Sequence, residues 1–134
     1  STLRQLRDLL NTYIDDLKST EDSNNGDLSK KVIRDIHNYV HGNYMKDISL
    51  ESVAEEVFLS PGYLSGFFKK ETGQSLVKYI TCYRMEKAKE LLLNTNMKIV
   101  DIAEKVGYSN TSYFCTAFKN YLGMSPAKYR GRDD

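Results

Sequence analysis

No stretch of about 18 consecutive apolar residues occurs in this 134-residue chain, so no membrane-spanning helix and no membrane contact are expected. Its first residues also lack the basic-then-apolar order of a secretion signal. Cysteine is scarce. Cys82 and Cys115 stand alone, and their spacing suits neither a disulfide framework nor a metal-ligand set, which predicts reduced thiols in a cytoplasmic protein. The chain has no excess of charge of one sign: 19 Lys and Arg face 18 Asp and Glu, for a net charge of +1. The strongly basic patch that usually marks a nucleic-acid binder is therefore missing. Residues 1–44 carry six basic and seven acidic side chains, and residues 45–134 carry 13 and 11. Catalytic signatures are absent too: there is no nucleophile elbow, glycine-rich phosphate loop or convergent acid pair, so neither an enzyme nor a cofactor is expected. His37 and His41 lie one helical turn apart, but without a motif glutamate or a third ligand nearby they read as surface histidines rather than a zinc site.

What the chain does contain is a repeat. The segment Ile99–Arg130 has the apolar spacing, turn residues and basic positions of a helix-turn-helix, and a degenerate copy runs from Ile48 to Tyr79. Ala54 and Val57 match Ala103 and Val106 at an offset of 49 residues. Phe68-Lys69, Gly73, Ser75 and Tyr79 match Phe118-Lys119, Gly123, Ser125 and Tyr129 at an offset of 50, so the second copy has gained one residue in its turn. Two such units suggest two elements entering successive major grooves on one face of a duplex, which recur about every 34 Å.

The periodicities predict an all-α fold: two helix-turn-helix subdomains joined by a long bridging helix, with an extra N-terminal helix. Leu3, Leu6, Leu10, Tyr13 and Leu17 follow the steps of a coiled-coil seam, yet for only about two heptads; a helix packed on its own domain fits equally well. Residues 1–18 thus read as a connector helix, and 19–29, dense in Ser, Asn, Asp and Gly, as a flexible linker. A compact domain is expected over 30–134. Its helical stripe Val32, Ile33, Ile36, Tyr39, Val40 stops near Gly42-Asn43. The first helix-turn-helix spans 49–73, with Ser49 and Ser60-Pro61 as helix starts and Gly73 as a stop. The bridging helix spans 76–93; its wide apolar arc requires contact with more than one body. The second helix-turn-helix spans 98–123, with Phe114 and Phe118 as anchors one turn apart.

These residues resemble the AraC/XylS family of bacterial transcription regulators. The likeness covers roughly Val32–Arg130. It is carried most specifically by Ile102-Ala103, Val106-Gly107-Tyr108, Tyr113-Phe114, Phe118-Lys119, Gly123, Ser125-Pro126 and Tyr129-Arg130, with Leu50, Val53-Ala54, Tyr63-Leu64, Phe68-Lys69-Lys70 and Thr72-Gly73 in the first copy. The resemblance implies recognition helices at Pro61–Glu71 and Asn110–Tyr121 and double-stranded DNA as the partner. It further implies contact with RNA polymerase, a bacterial cytoplasmic setting and, through the upstream helix, a parent protein of the response-regulator kind. The Leu3–Leu17 seam hints at a homodimer of that parent, while two heptads predict a largely monomeric chain here.

Base-facing candidates are the positions a recognition helix leaves between its anchors: Gly62, Ser65 and Gly66 in the first, and Thr111, Ser112 and Thr116 in the second, with Cys115 beside them. Phosphate candidates are Lys69, Lys70, Lys119 and Arg130, with the helix starts at Ser60 and Asn110. Arg84 and Arg130 have a competing reading as partners of scaffold acids. Gly66 and Thr116 match positions where the family frequently has an arginine that grips guanine; serine and threonine accept several bases, so readout is expected to be soft. The missing arginines and the near-neutral charge support a rival reading, a helical protein-interaction module that has lost most DNA affinity.

Overall fold

The computed structural model describes residues 2–20 and 22–131, with side chains for 2–11 and 26–131. The described residues form eight α-helices and no strand: α1 (Thr2–Thr20), α2 (Asp22–Asn43), α3 (Leu50–Glu56), α4 (Pro61–Thr72), α5 (Leu76–Asn94), α6 (Ile99–Lys105), α7 (Thr111–Leu122) and α8 (Pro126–Gly131). They divide into two compact units. The first holds the described residues up to Asn43 together with Ile48–Tyr79, and the second holds Tyr44–Asp47 together with the described residues from Ile80 onward.

Local signals set most helix ends. Ser49 caps α3 in a capping box with Ser52: the Ser52 amide donates to Ser49 Oγ at 3.2 Å and the Ser49 amide to Ser52 Oγ at 2.8 Å. Gly73 and Gly123 close α4 and α7 at φ 84°, where a residue with a Cβ is strained, and their amides donate to Lys69 O and Lys119 O. Two residues after each of these glycines a serine starts the next helix: Ser75 Oγ accepts from the Lys78 amide and Ser125 Oγ from the Lys128 amide.

In the first unit Ile36 and Val40 of α2 are fully buried with Val53 and Ala54 of α3 and Leu64 and Phe68 of α4. Phe68 meets Tyr79 edge-on at 5.6 Å between ring centroids. The second unit buries Met85, Ala88 and Leu92 of α5 against Ile102, Ala103 and Val106, with Phe114, Phe118 and Tyr129 completing the cluster. The helix expected to bridge the units therefore has two roles. Leu76–Tyr79 belongs to the first unit, and α5 from Ile80 onward belongs to the second, whose core takes its Met85, Ala88 and Leu92.

The N-terminal part departs from expectation. The segment read as a flexible linker is helical from Asp22 onward, Asn24, Asn25 and Gly26 included, because α2 extends well ahead of its buried stripe. Once the Leu28–Val40 stripe has formed a helix, each added residue gains a hydrogen bond without a new nucleation cost, and this outweighs a polar composition. Of the seam residues with described side chains, Leu10 is half-buried and lines a concavity with Leu28, Val32, Tyr39 and Phe58, while Leu3 and Leu6 stay exposed. Tyr13 and Leu17 lie outside the described side chains.

Candidate nucleic-acid interface

Each unit builds a helix, a tight turn and a second helix from the same parts. In the first, Val57–Ser60 makes the turn; the Leu59 amide reaches back to Ala54 O at 2.9 Å, and Phe58 takes a φ of 61°. In the second, Val106–Asn110 makes it, one residue longer as the repeat offsets required; the Tyr108 amide reaches Ala103 O at 2.9 Å and Gly107 has φ 103°. Gly107 is there for space as well as for dihedral freedom. A Cβ would stand 2.5 Å from Tyr44 O and 3.0 Å from Arg84 Nε.

Both recognition helices start on a side-chain cap. Ser60 Oγ accepts from the Tyr63 amide at 3.3 Å, and Asn110 Oδ1 accepts from the Tyr113 amide at 2.9 Å. Ser60 and Asn110 thus use their side-chain oxygens as acceptors for their own helices, which takes up the Tyr63 and Tyr113 amides and leaves the other first-turn amides for an anion. Pro61 contributes no amide to α4, so the start of α7 is the richer in donors.

The anchors hold α4 and α7 in the same rotation. Leu64, Phe67 and Phe68 bury one side of α4, and Phe114 and Phe118 bury the matching side of α7. The opposite side of α4 exposes Gly62, Ser65, Gly66, Lys69 and Lys70, and that of α7 exposes Ser112, Tyr113, Thr116, Lys119 and Asn120. Eight of the sequence candidates are thereby brought onto two exposed helix faces. Thr111 is half-buried on the shoulder of α7, as is Cys115.

Arg130 is a correction to the phosphate candidates. Its guanidinium is taken up inside the second unit, where Nε donates to Leu92 O at 3.0 Å, Nη1 to Met97 O at 2.7 Å and Nη2 to Thr95 O at 3.2 Å. It closes the C-terminal end of α5, whose last carbonyls have no partners within the helix. Arg84 plays a similar part: Nε donates to Tyr44 O at 2.9 Å and Nη2 to Lys46 O at 2.8 Å, with the guanidinium over the Tyr108 ring. The scaffold partners of both arginines are carbonyls, where acids were the competing expectation.

The histidines also differ from plain surface residues. His37 and His41 stack on each other at 6.0 Å, His37 stacks on Tyr79 at 4.8 Å, and His41 Nε2 lies 2.7 Å from the Tyr79 hydroxyl. Partial burial, and then the neighbouring His41 charge, hold the His37 pKa below the usual histidine value. In the second unit the Tyr121 hydroxyl donates to Glu86 Oε2 at 2.9 Å; desolvation and that carboxylate push its pKa up to about 12.

Sequence reasoning missed Tyr113 and Asn120. Tyr113, named in the sequence only for its place in the family likeness, is 65% exposed. The helical period carried the signal. Counting about 100° per residue from the Phe114 and Phe118 anchors puts Tyr113 and Asn120 on the outward half of α7.

The sequence pattern of a helix-turn-helix domain family matches residues 53–132. Among curated relatives, the chain is 34% identical over 122 residues to the uncharacterized HTH-type transcriptional regulator YtdP of Bacillus subtilis, covering 91% of this chain and 16% of that protein. Among solved structures, the C-terminal domain of AraT, a response regulator from Geobacillus stearothermophilus, superposes with a TM-score of 0.74 at 46% identity, covering 77% of this chain and 85% of that one. The C-terminal domain of the two-component response regulator yesN from Fusobacterium nucleatum does so with a TM-score of 0.70 at 43% identity, covering 71% and 93%. The chain spans less than half the length of the curated relatives it matches. With two matching helix-turn-helix units and a family pattern over most of its length, the chain belongs to the AraC-type family of DNA-binding, helix-turn-helix transcription regulators.

Proposed function

We propose that this chain is the DNA-reading portion of a larger, signal-responsive transcription regulator, and that α4 and α7 each enter a major groove of double-stranded DNA. The observation that carries this reading is the duplicated recognition face, an exposed helix side backed by aromatic anchors and ending in lysine, in both units. Gly62, Ser65, Gly66, Ser112 and Thr116 face bases, with Thr111 at the margin. Lys69, Lys70 and Lys119 neutralise phosphates beside the amides at the two helix starts. Residues 30–134 form the DNA-binding domain and residues 1–18 the connector, in keeping with the likeness to C-terminal domains of response regulators. The parent acts in the bacterial cytoplasm, without enzymatic chemistry in this portion. It acts on transcription by recruiting or obstructing RNA polymerase, and α1 contributes to homodimer formation in the full-length protein.

The test is a titration of the chain into a fluorescein-labelled duplex of about three helical turns, followed by anisotropy at several salt concentrations, beside a Lys69→Ala, Lys119→Ala double variant. Affinity that falls steeply with salt, and a salt slope that the double variant lowers by about two units, support the reading. The net charge of +1 favours a second reading, a protein-interaction module with little DNA affinity. No binding even at low salt would count against the DNA-reading role of this portion and favour that second reading.

A further inference from the structure

We infer that the two recognition helices divide the work: α7 discriminates between base sequences, with Tyr113 as its chief contact to thymine methyl groups, while α4 docks on DNA with little regard for sequence. This rests on the DNA-binding reading and goes beyond it in assigning specificity to one unit.

The geometry comes from the shared rotation of the two helices. Opposite the midpoint of the anchors Leu64 and Phe68 the helical period places Gly66, and opposite Phe114 and Phe118 it places Thr116. These are the positions that stand deepest in a groove. On α4 the centre of the face is bare. Gly62 and Gly66 lie one turn apart, and open space surrounds the place where each would carry a Cβ. Ser65 is adjacent to Gly66 in sequence and is therefore turned about 100° away from the centre. What remains on the face is Lys69 and Lys70, both exposed. Ser65, one turn before Lys69, stands at the edge of this face and its short hydroxyl accepts several bases, and a lysine that neutralises phosphate makes a contact that carries no sequence information.

The equivalent face of α7 holds Ser112, Thr116, Lys119 and Asn120, all exposed. Beside them projects Tyr113. Its counterpart Tyr63 is half-buried and stacks on Phe67 at 5.8 Å with an interplanar angle of 14°, whereas Tyr113 is 65% exposed and lies tilted at 40° to Tyr108 with ring centroids 5.9 Å apart. An aromatic ring on the groove side of a recognition helix offers apolar area that water solvates poorly. The apolar feature of the major groove is the C5 methyl of thymine, which also suits the Thr116 methyl. The preferred half-site of the second unit is accordingly rich in A·T pairs.

The experiment is selection of the full chain on a pool of randomised duplexes. Anisotropy then follows on the selected duplex, a scrambled duplex, and the selected duplex with deoxyuridine in place of thymidine; circular dichroism checks the fold of each variant. The wild type is expected to select one block of conserved, thymine-containing base pairs and to bind the deoxyuridine duplex about tenfold more weakly. Tyr113→Ala should lose about tenfold on the selected duplex, little on the scrambled one, and become indifferent to deoxyuridine; Tyr113→Phe should keep the wild-type pattern. Lys69→Ala with Lys70→Ala should weaken all three duplexes alike. Gly66→Arg should create a second conserved block containing guanine. Two blocks of equal information in the wild type, or a Tyr113→Ala loss equal on selected and scrambled duplexes, would overturn the inference while leaving DNA binding intact. Absence of binding to every duplex at low salt would instead overturn the DNA-binding reading, and this inference with it.

Discussion

The first and second units repeat one design but place its costs differently. At the turn, the first unit puts Phe58 at a φ of 61°, where a Cβ is strained, and the second puts Gly107 at 103°. At the preceding helix the order reverses, since Ser49 caps α3 on both sides of a capping box while Lys98 gives α6 no side-chain cap. On the recognition face the glycines lie in the first unit and the side chains in the second. A repeat therefore conserves the positions of strain and exposure more faithfully than the residues that bear them.

The sharpest way to break the comparison is Gly107→Ala. It adds a Cβ 2.5 Å from the Tyr44 carbonyl at a positive φ, and we expect a loss of about 3 kcal/mol, read as a large fall in Tm. Phe58→Gly at the matching position should stay within about 1 kcal/mol of wild type, because relief of backbone strain is offset by the lost ring contacts. Arg130→Ala should cost about 2 kcal/mol by orphaning carbonyls of Leu92, Thr95 and Met97, and leave the salt slope of DNA binding unchanged. A slope lowered by a full unit would return Arg130 to the phosphate contacts.

Smaller effects sharpen the contrast in capping. Ser49→Ala should cost about 1 kcal/mol, and Lys98→Asp should gain nearly as much by supplying the second unit with the cap it lacks; chemical denaturation at constant m-value checks both. Gly66→Ala should raise stability by roughly 0.5–1 kcal/mol with DNA affinity little changed, because its Cβ enters open space on a helix. The smallest expected effect is that of His37. Its pKa is lower folded than unfolded, so the unfolded chain binds the proton more readily. The contribution to stability is whole above about pH 6.5 and is lost as pH falls below it toward the folded pKa. His37→Gln should remove part of the fall in Tm between pH 7 and 5.5.

Much of this architecture was legible residue by residue. Ser49, Ser60-Pro61, Gly73, Asn110 and Gly123 are signals that act within a few residues of themselves, and the helices begin or end beside them. The anchors Leu64, Phe68, Phe114 and Phe118 follow from helical spacing, and all are fully buried. The start of α2 was less legible, since a polar N-terminal turn resembles a linker until the stripe that extends it is taken into account. Tyr113 and Asn120 were legible but not drawn out, since the helical period counted from the Phe114 and Phe118 anchors already turns both outward.

The sequence by itself determined the repeat, the helical class, the extra residue in the second turn and the family, because each rests on spacing within a short window. Tertiary structure alone decided the fates of Arg84 and Arg130. Their carbonyl partners lie 33 to 40 residues away along the chain, and a long cationic side chain has no local preference that selects one distant oxygen over a phosphate in solution.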